Sequence, residues 1–359
     1  MYIFKEKVIN IIYFRTDAND IIATGHVMRC LTVAKEFTQN NEEVSFIVSD
    51  KQSEKLIISE GYPVHVLDVD WKHLDGNIEA AILKKYIKKN DIIFIDTYSA
   101  TECYIKEIKK LAKIIIFDDL FCEKYSADVI INYNLYYNLF DYEERYKNTK
   151  NQLLLGGKYV PLRKQFQLEK VERMQVDIEN KKTINVLVIC GGGDLYNTMF
   201  QIVSYIQKND ILLFKRFQWK IVCGAYNTHF NMINEFSSKY DNVTLYKNIN
   251  NMAKVLMECD ICISAASTVL YECCAMQLPT IFYCVADNQK YDADAFKDMM
   301  IYAGDFINNK NQVLIEILQS LKRIVHCNQE YYSMIKKLEM SVDINGTENI
   351  VRSILHKEK

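Results

Sequence analysis

With 359 residues the chain exceeds what one hydrophobic core usually organises, so two domains of roughly 150 to 200 residues are expected. Apolar residues make up 49% and charged residues 25%, the balance of a folded, soluble protein and not of a disordered one. The 44 basic and 46 acidic residues leave a net charge of −2, which excludes a global field for holding nucleic acid or an anionic membrane; any phosphate-bearing ligand must find a local site.

The chain opens MYIFKEKVINIIYF, with charges at Lys5, Glu6 and Lys7 before a short β-rich run, which fits a first strand better than a signal peptide. No apolar run approaches the ~20 residues of a membrane span. Strands are predicted at 8–14, 43–48, 64–67, 91–95 and 113–117, with amphipathic helices at 26–39, 51–60, 77–89 and 102–111 between them. Shorter strands follow at 129–132 and 152–155. This is a βαβ series, and near-continuous apolar strands such as IIFI and KIIIF suit a parallel sheet covered on both faces.

A polar stretch from 164 to 182 breaks the rhythm, which resumes with strands at 184–190, 219–223, 243–246, 261–264 and 280–284. Helices at 311–325, 328–339 and 346–357 close the chain. The expected organisation is a first Rossmann-like domain over 1–165, a linker over 166–183, a second Rossmann-like domain over 184–340 and a C-terminal helix over 341–359. The eleven cysteines are odd in number and lie in apolar segments, so reduced thiols and a cytoplasmic chain are expected. Cys259 and Cys262 form C-x-x-C within a predicted strand, without a second pair at zinc-site spacing, and no metal is expected.

In a parallel α/β domain ligands bind beyond the carboxyl ends of strands, where loops lead into helices. The segment RTDANDIIATGHVMRC is such a place. Val27, Cys30, Leu31, Ala34 and Phe37 share one helical face, Thr24 suits an N-cap, and Gly25 lets the backbone come close to a ligand. His26 falls in the first turn, and Arg29 projects from the same side. The positive end of the helix dipole disfavours imidazolium, which suits a histidine that accepts a proton. A histidine that merely caps or packs a helix end satisfies this segment equally well. For His65, His73, His229, His326 and His356 structural or solvated roles are expected.

The run CGGGD, 190–194, follows the first strand of the second half, where Gly192 and Gly193 can offer unhindered N–H groups to a phosphate and Asp194 adds a polar contact. A tight structural turn is the competing reading. In ISAASTVLYECCAMQLPTIFYCVADNQ, 263–289, Ser267 and Thr268 open a helix whose N–H groups suit a diphosphate, and Glu272 stands one turn on, where a carboxylate can accept both hydroxyls of a ribose. Asn288 and Gln289 then supply amides at the next strand's carboxyl edge.

Together these segments resemble the PseG-type UDP-sugar hydrolases, which release UDP from UDP-2,4-diacetamido-2,4,6-trideoxy-β-L-altrose in pseudaminic acid synthesis. The likeness runs through Asp96, Thr97 and Tyr98, the Asp118-Asp119-Leu120 turn, Gly156, Tyr159 to Arg163, Phe166, GGGD, STVLYE, DNQ, Val342-Asp343 and Gly346. That family is similar to GT-B glycosyltransferases, MurG above all, which implies two Rossmann-like α/β domains with parallel sheets facing a cleft. The resemblance makes His26 the general base, puts Tyr98 and Asn288 near the sugar, gives Ser267, Thr268 and Glu272 to the nucleotide, and sets Arg15 and Asp17 in the same N-terminal loop. The chain departs from the family at Ala23, at Gly191-Gly192-Gly193 and at Ser264-Ala265-Ala266, and the methyl groups that the alanines add narrow a diphosphate-binding turn. A monomer acting on a UDP-sugar without cofactor is expected, with two rivals: a GT-B glycosyltransferase that uses an acceptor in place of water, and a non-catalytic UDP-sugar sensor.

Overall fold

The computed structural model describes residues 10–18, 24–169, 173–224, 227–247 and 249–355, with the backbone alone at Asn288. In the first unit seven strands form one parallel sheet in the order β3-β2-β1-β4-β5-β6-β7. They are β1 (Ile11–Thr16), β2 (Glu43–Val48), β3 (Val64–Val66), β4 (Ile92–Asp96), β5 (Lys113–Phe117), β6 (Val129–Asn132) and β7 (Gln152–Leu155). The predicted first strand, 8–14, is shifted to Ile11–Thr16, its first two positions lying outside the described residues.

Phe14 stacks on Phe94 at 4.6 Å and on Phe46 at 5.2 Å, so three adjacent strands share one aromatic layer. Phe37, on the buried face of helix Gly25–Gln39, meets Phe94 edge to face at 5.6 Å. The predicted apolar face of that helix is thereby used as read: Val27, Cys30, Leu31, Ala34 and Phe37 are all buried. The strand order reverses between β1 and β4, and the first turn of this helix and the loop after β4 lie at that switch point.

The second unit repeats the plan with six parallel strands in the order β10-β9-β8-β11-β12-β13. These are β8 (Ile184–Ile189), β9 (Phe217–Cys223), β10 (Val243–Lys247), β11 (Ile261–Ala265), β12 (Thr280–Cys284) and β13 (Ile301–Asp305). Its core centres on Trp219, fully buried and stacked on Phe214 at 5.8 Å, with its indole N–H donated to the Phe214 carbonyl. Here the reversal lies between β8 and β11.

The division of the chain differs from a simple succession. The first unit runs through Pro161 and takes back the chain from Gly346, and the second holds Leu162–Asn345. Helix Gly346–Leu355 packs against helix Gly25–Gln39, and Gly346 meets the Val160 backbone so closely that a Cβ has no room there. The expected linker, 166–183, is part of the second unit: buried Arg173 donates to the carbonyls of Met276, Leu256 and Cys259. Among the described residues no helix is long and apolar enough to cross a membrane.

Candidate active site

At the carboxyl edge of the first sheet, Asp96 is the last residue of β4 and the register partner of Thr16 at the end of β1. His26, in the first turn of helix Gly25–Gln39, brings Nδ1 within 2.5 Å of Asp96 Oδ1. Arg29, one turn on, grips the same carboxylate with a fork, donating from Nε to Oδ2 and from Nη2 to Oδ1, each at 2.5 Å. Its Nη1 donates to Tyr133 Oη at 3.0 Å and pairs with Asp119 Oδ2 at 2.8 Å, while its guanidinium lies 4.7 Å over the Phe117 ring.

Burial alone would raise the Asp96 pKa, but Arg29 and His26 overrule it and hold the carboxyl well below the usual carboxylate range. An ionised carboxylate only accepts, so Nδ1 of His26 carries the hydrogen of that bond, and in the neutral ring the lone pair is then on Nε2. The Arg29 Nη2 contact to Nδ1, at 3.3 Å, joins two donors and does not compete with that bond. Tyr98, two residues beyond Asp96 and 53% exposed, sets its ring edge to face with His26 at 4.5 Å. Its hydroxyl donates to Asp119 Oδ2 at 3.5 Å, and Asn134 Nδ2 donates to Asp119 Oδ1 at 2.8 Å.

Three expected contacts turn inward. Arg15 is 0% exposed, with Nε and Nη2 on Glu79 at 3.0 Å, Nη1 on Asp17 at 2.5 Å and Nη2 on Ser49 Oγ at 2.7 Å. Asp17 is buried as well and accepts the Ser49 amide at 2.6 Å. Neither presents a surface to a ligand; they tie the end of β1 to its neighbours. Arg29 is likewise engaged by Asp96, Asp119 and Tyr133. Gly25 is the opposite case: it is exposed, and a Cβ built there meets no atom of the described residues within 4 Å. Ala23 lies outside the described residues.

In the second unit the turn after β8 places Gly191 at φ +68°, a left-handed value that favours glycine, with Ser267 Oγ 3.6 Å from where its Cβ would stand. The loops following β8 and β11 therefore abut at the switch point. Gly192 and Gly193 are partly exposed in that turn, as is Ser267, whose Oγ accepts the Val269 amide at 3.3 Å. Thr268 is exposed and its side chain makes no capping bond. Glu272 pairs with Arg163 at 2.7 Å.

Two of the expected ligand contacts make bonds within the unit. Asp194 is buried and accepts from the Thr198 amide at 2.7 Å and the Met199 amide at 3.0 Å, so it caps helix Thr198–Asn209. Gln289 folds back, with Oε1 accepting the Val285 amide at 2.7 Å, and closes its own turn. Asn288 belongs to the same single turn, Asp287–Gln289, and its side chain lies outside what is described. Sequence reasoning assigned no role to Asp96, Asp119 or Arg163, although each stands in a stretch that carries the resemblance. The position of Asp96, at the end of an apolar strand and two residues before Tyr98, was the available signal.

The fold is of the GT-B class. Acinetobacter baumannii MurG matches it with a TM-score of 0.65 over 96% of this chain and 99% of that one, at 16% identity. Residues 185–347, nearly all of the second unit, match the glycosyltransferase family 28 C-terminal domain. Among curated proteins, the UDP-2,4-diacetamido-2,4,6-trideoxy-β-L-altropyranose hydrolase of Campylobacter jejuni is 25% identical over 284 residues, 79% of this chain and 94% of that protein. An uncharacterised protein of Methanocaldococcus jannaschii is 27% identical over 336 residues, 88% of this chain, and the chain spans 66% of that protein's length.

Proposed function

We propose that the chain is a UDP-sugar hydrolase that releases UDP from UDP-2,4-diacetamido-2,4,6-trideoxy-β-L-altrose. His26 Nε2 takes a proton from water as the water oxygen bonds to the anomeric carbon. The bond from that carbon to the β-phosphate oxygen breaks, and UDP leaves with the bonding electrons. Attack opposite the leaving group inverts the anomeric centre. The observation that carries this reading is the His26–Asp96–Arg29 arrangement, in which a buried carboxylate held by Arg29 engages Nδ1 of His26 and leaves Nε2 for the water.

The second unit supplies the nucleotide site: the Gly191–Gly193 turn and Ser267–Thr268 hold the diphosphate, and Glu272 holds the ribose. A nucleoside diphosphate is a good leaving group, so positioning and charge stabilisation carry much of the rate. Tyr98 and Asn288 are assigned to the sugar. The Campylobacter hydrolase's likeness over most of both chains favours this substrate.

The match to a glycosyltransferase C-terminal domain supports a second reading, in which an acceptor hydroxyl replaces water at the same base. The two are separated by assaying UDP release from a panel of UDP-diacetamido-trideoxyhexoses without acceptor. Release from donor alone is the expected result, and release only with an acceptor makes the protein a transferase. His26→Ala is expected to keep UDP affinity and lose about 10²–10⁴ in turnover. Turnover unchanged in that variant removes His26 from the mechanism.

A further inference from the structure

The carboxylate assigned to the ribose is itself held by a side chain from far away in sequence. Arg163 Nη2 donates to Glu272 Oε1 at 2.7 Å, and the Arg163 guanidinium lies 5.5 Å over the ring of Phe166. The Glu272 side chain is 15% exposed and that of Arg163 is 31% exposed, so the pair sits at the edge of the unit with the acid on the inner side. Burial pushes the Glu272 carboxyl up, and the Arg163 charge pulls it back toward the ionised form. A protonated acid would turn one acceptor oxygen into a donor, and an unheld one would be free to rotate away from a ligand.

We propose that Arg163 is the positioning residue of the nucleotide site: by holding Oε1 it fixes the plane of the Glu272 carboxylate and leaves Oε2 to accept the ribose 2′-hydroxyl. Selection of a ribonucleotide over a 2′-deoxyribonucleotide then depends on Arg163 acting through Glu272. The inference rests on the reading of the second unit as the UDP site. Arg163 comes just after the unit's first residue and Glu272 from the helix that follows β11, so the ion pair ties the entry of the chain to the candidate site.

The test is calorimetric titration of the full chain with UDP and with 2′-deoxy-UDP, in the wild type, Arg163→Met, Arg163→Lys and Glu272→Gln. The wild type is expected to favour UDP by roughly tenfold or more, the usual effect of a hydrogen bond to a charged group. Arg163→Met and Glu272→Gln are expected to bring that ratio to within about twofold of one, and Arg163→Lys, which keeps a cation, to restore part of it. Arg163→Gln, a neutral polar replacement, takes the place of the Met variant if thermal melting shows that variant unfolded. Equal weakening of both nucleotides in Arg163→Met, with the ratio intact, is the mark of a direct phosphate contact and overturns the proposal while leaving the UDP site standing. A wild type that binds UDP without preference also overturns it. A wild type that does not bind UDP removes the nucleotide reading and this inference with it.

Discussion

At Asp96 and at Asp118 burial has opposite outcomes, because Arg29 both pairs with and hydrogen-bonds Asp96, whereas the Arg145 charge is only a minor offset to burial at Asp118. Asp96 is gripped by Arg29 and His26 and stays ionised. Replacing it with Asn removes the acceptor that fixes the His26 tautomer, so turnover is expected to fall by about 10²–10⁴ while UDP affinity is kept. Steady-state kinetics beside UDP titration reads both; a variant with wild-type turnover would remove the dyad from the account. Asp118, next to Asp119, is pushed up from 3.8 to about 6, chiefly by burial, against hydrogen bonds from Tyr142 and the Phe121 amide.

The sign follows from proton counting. Between 3.8 and about 6 the folded protein holds a proton at Asp118 that the unfolded chain has lost, so stability falls as pH rises through that window. The loss is on the order of 3 kcal/mol. Asp96 works the other way, since its depressed value adds stability that is lost in acid. Asp118→Asn is expected to remove the decline and to be more stable than wild type above about pH 6, which urea unfolding at pH 5 and pH 7.5 would read. A difference between variant and wild type that is the same at both pH values counts against this assignment. Residue identity in the sequence pointed to His26 and Tyr98, but the partners of His26 are made by strand adjacency. Asp96 is 70 positions away and Asp119 is 90 positions from Arg29, separations that no local pattern encodes.

Elements were legible where apolar periodicity was strong. Glu43–Val48, Lys113–Phe117 and Thr280–Cys284 lie where their β-branched and aromatic runs predict. β13 was not foreseen, because IYAGD is short and carries Gly304 at φ +116°. The helix predicted from 311 follows a kink at Asn309 (φ −136°, ψ 45°), before which Asp305 caps a short first turn by accepting the amides of Ile307 and Asn308. Two glycines separate packing from function at this scale. Gly224 meets the carbonyl oxygens of Gly191 and Gly192, leaving no place for a Cβ, so Gly224→Ala must displace the glycine turn. It is expected to cost about 1–3 kcal/mol in stability and to weaken UDP binding at least ~tenfold. Gly25→Ala meets no described atom at its Cβ and brings a better helix former, so its stability should be unchanged or raised by up to about 1 kcal/mol. Its turnover should nevertheless fall if substrate occupies that space, and thermal melting beside kinetics separates the two effects.

The whole molecule has two parallel sheets, each with its candidate site at the point where strand order reverses. That plan was readable from the βαβ rhythm. The return of the last helix to the first unit was not, because its amphipathic face would suit either core. Helix Gly346–Leu355 packs on the helix that carries His26, and Asn349 donates to the Lys158 carbonyl at 3.0 Å. A chain ending at Asn345 is therefore expected to lose turnover and first-unit stability while the second unit keeps its UDP affinity.

Hydrolysis and transfer differ in which nucleophile breaks the anomeric bond, and water at phosphorus would break a different one. The most direct measurement is hydrolysis of UDP-2,4-diacetamido-2,4,6-trideoxy-β-L-altrose in water enriched in heavy oxygen, without acceptor, quenched before the free sugar exchanges its anomeric oxygen. One heavy oxygen in the sugar and none in UDP is the predicted result. Heavy oxygen in UDP, or no UDP released until an acceptor is added, would contradict it.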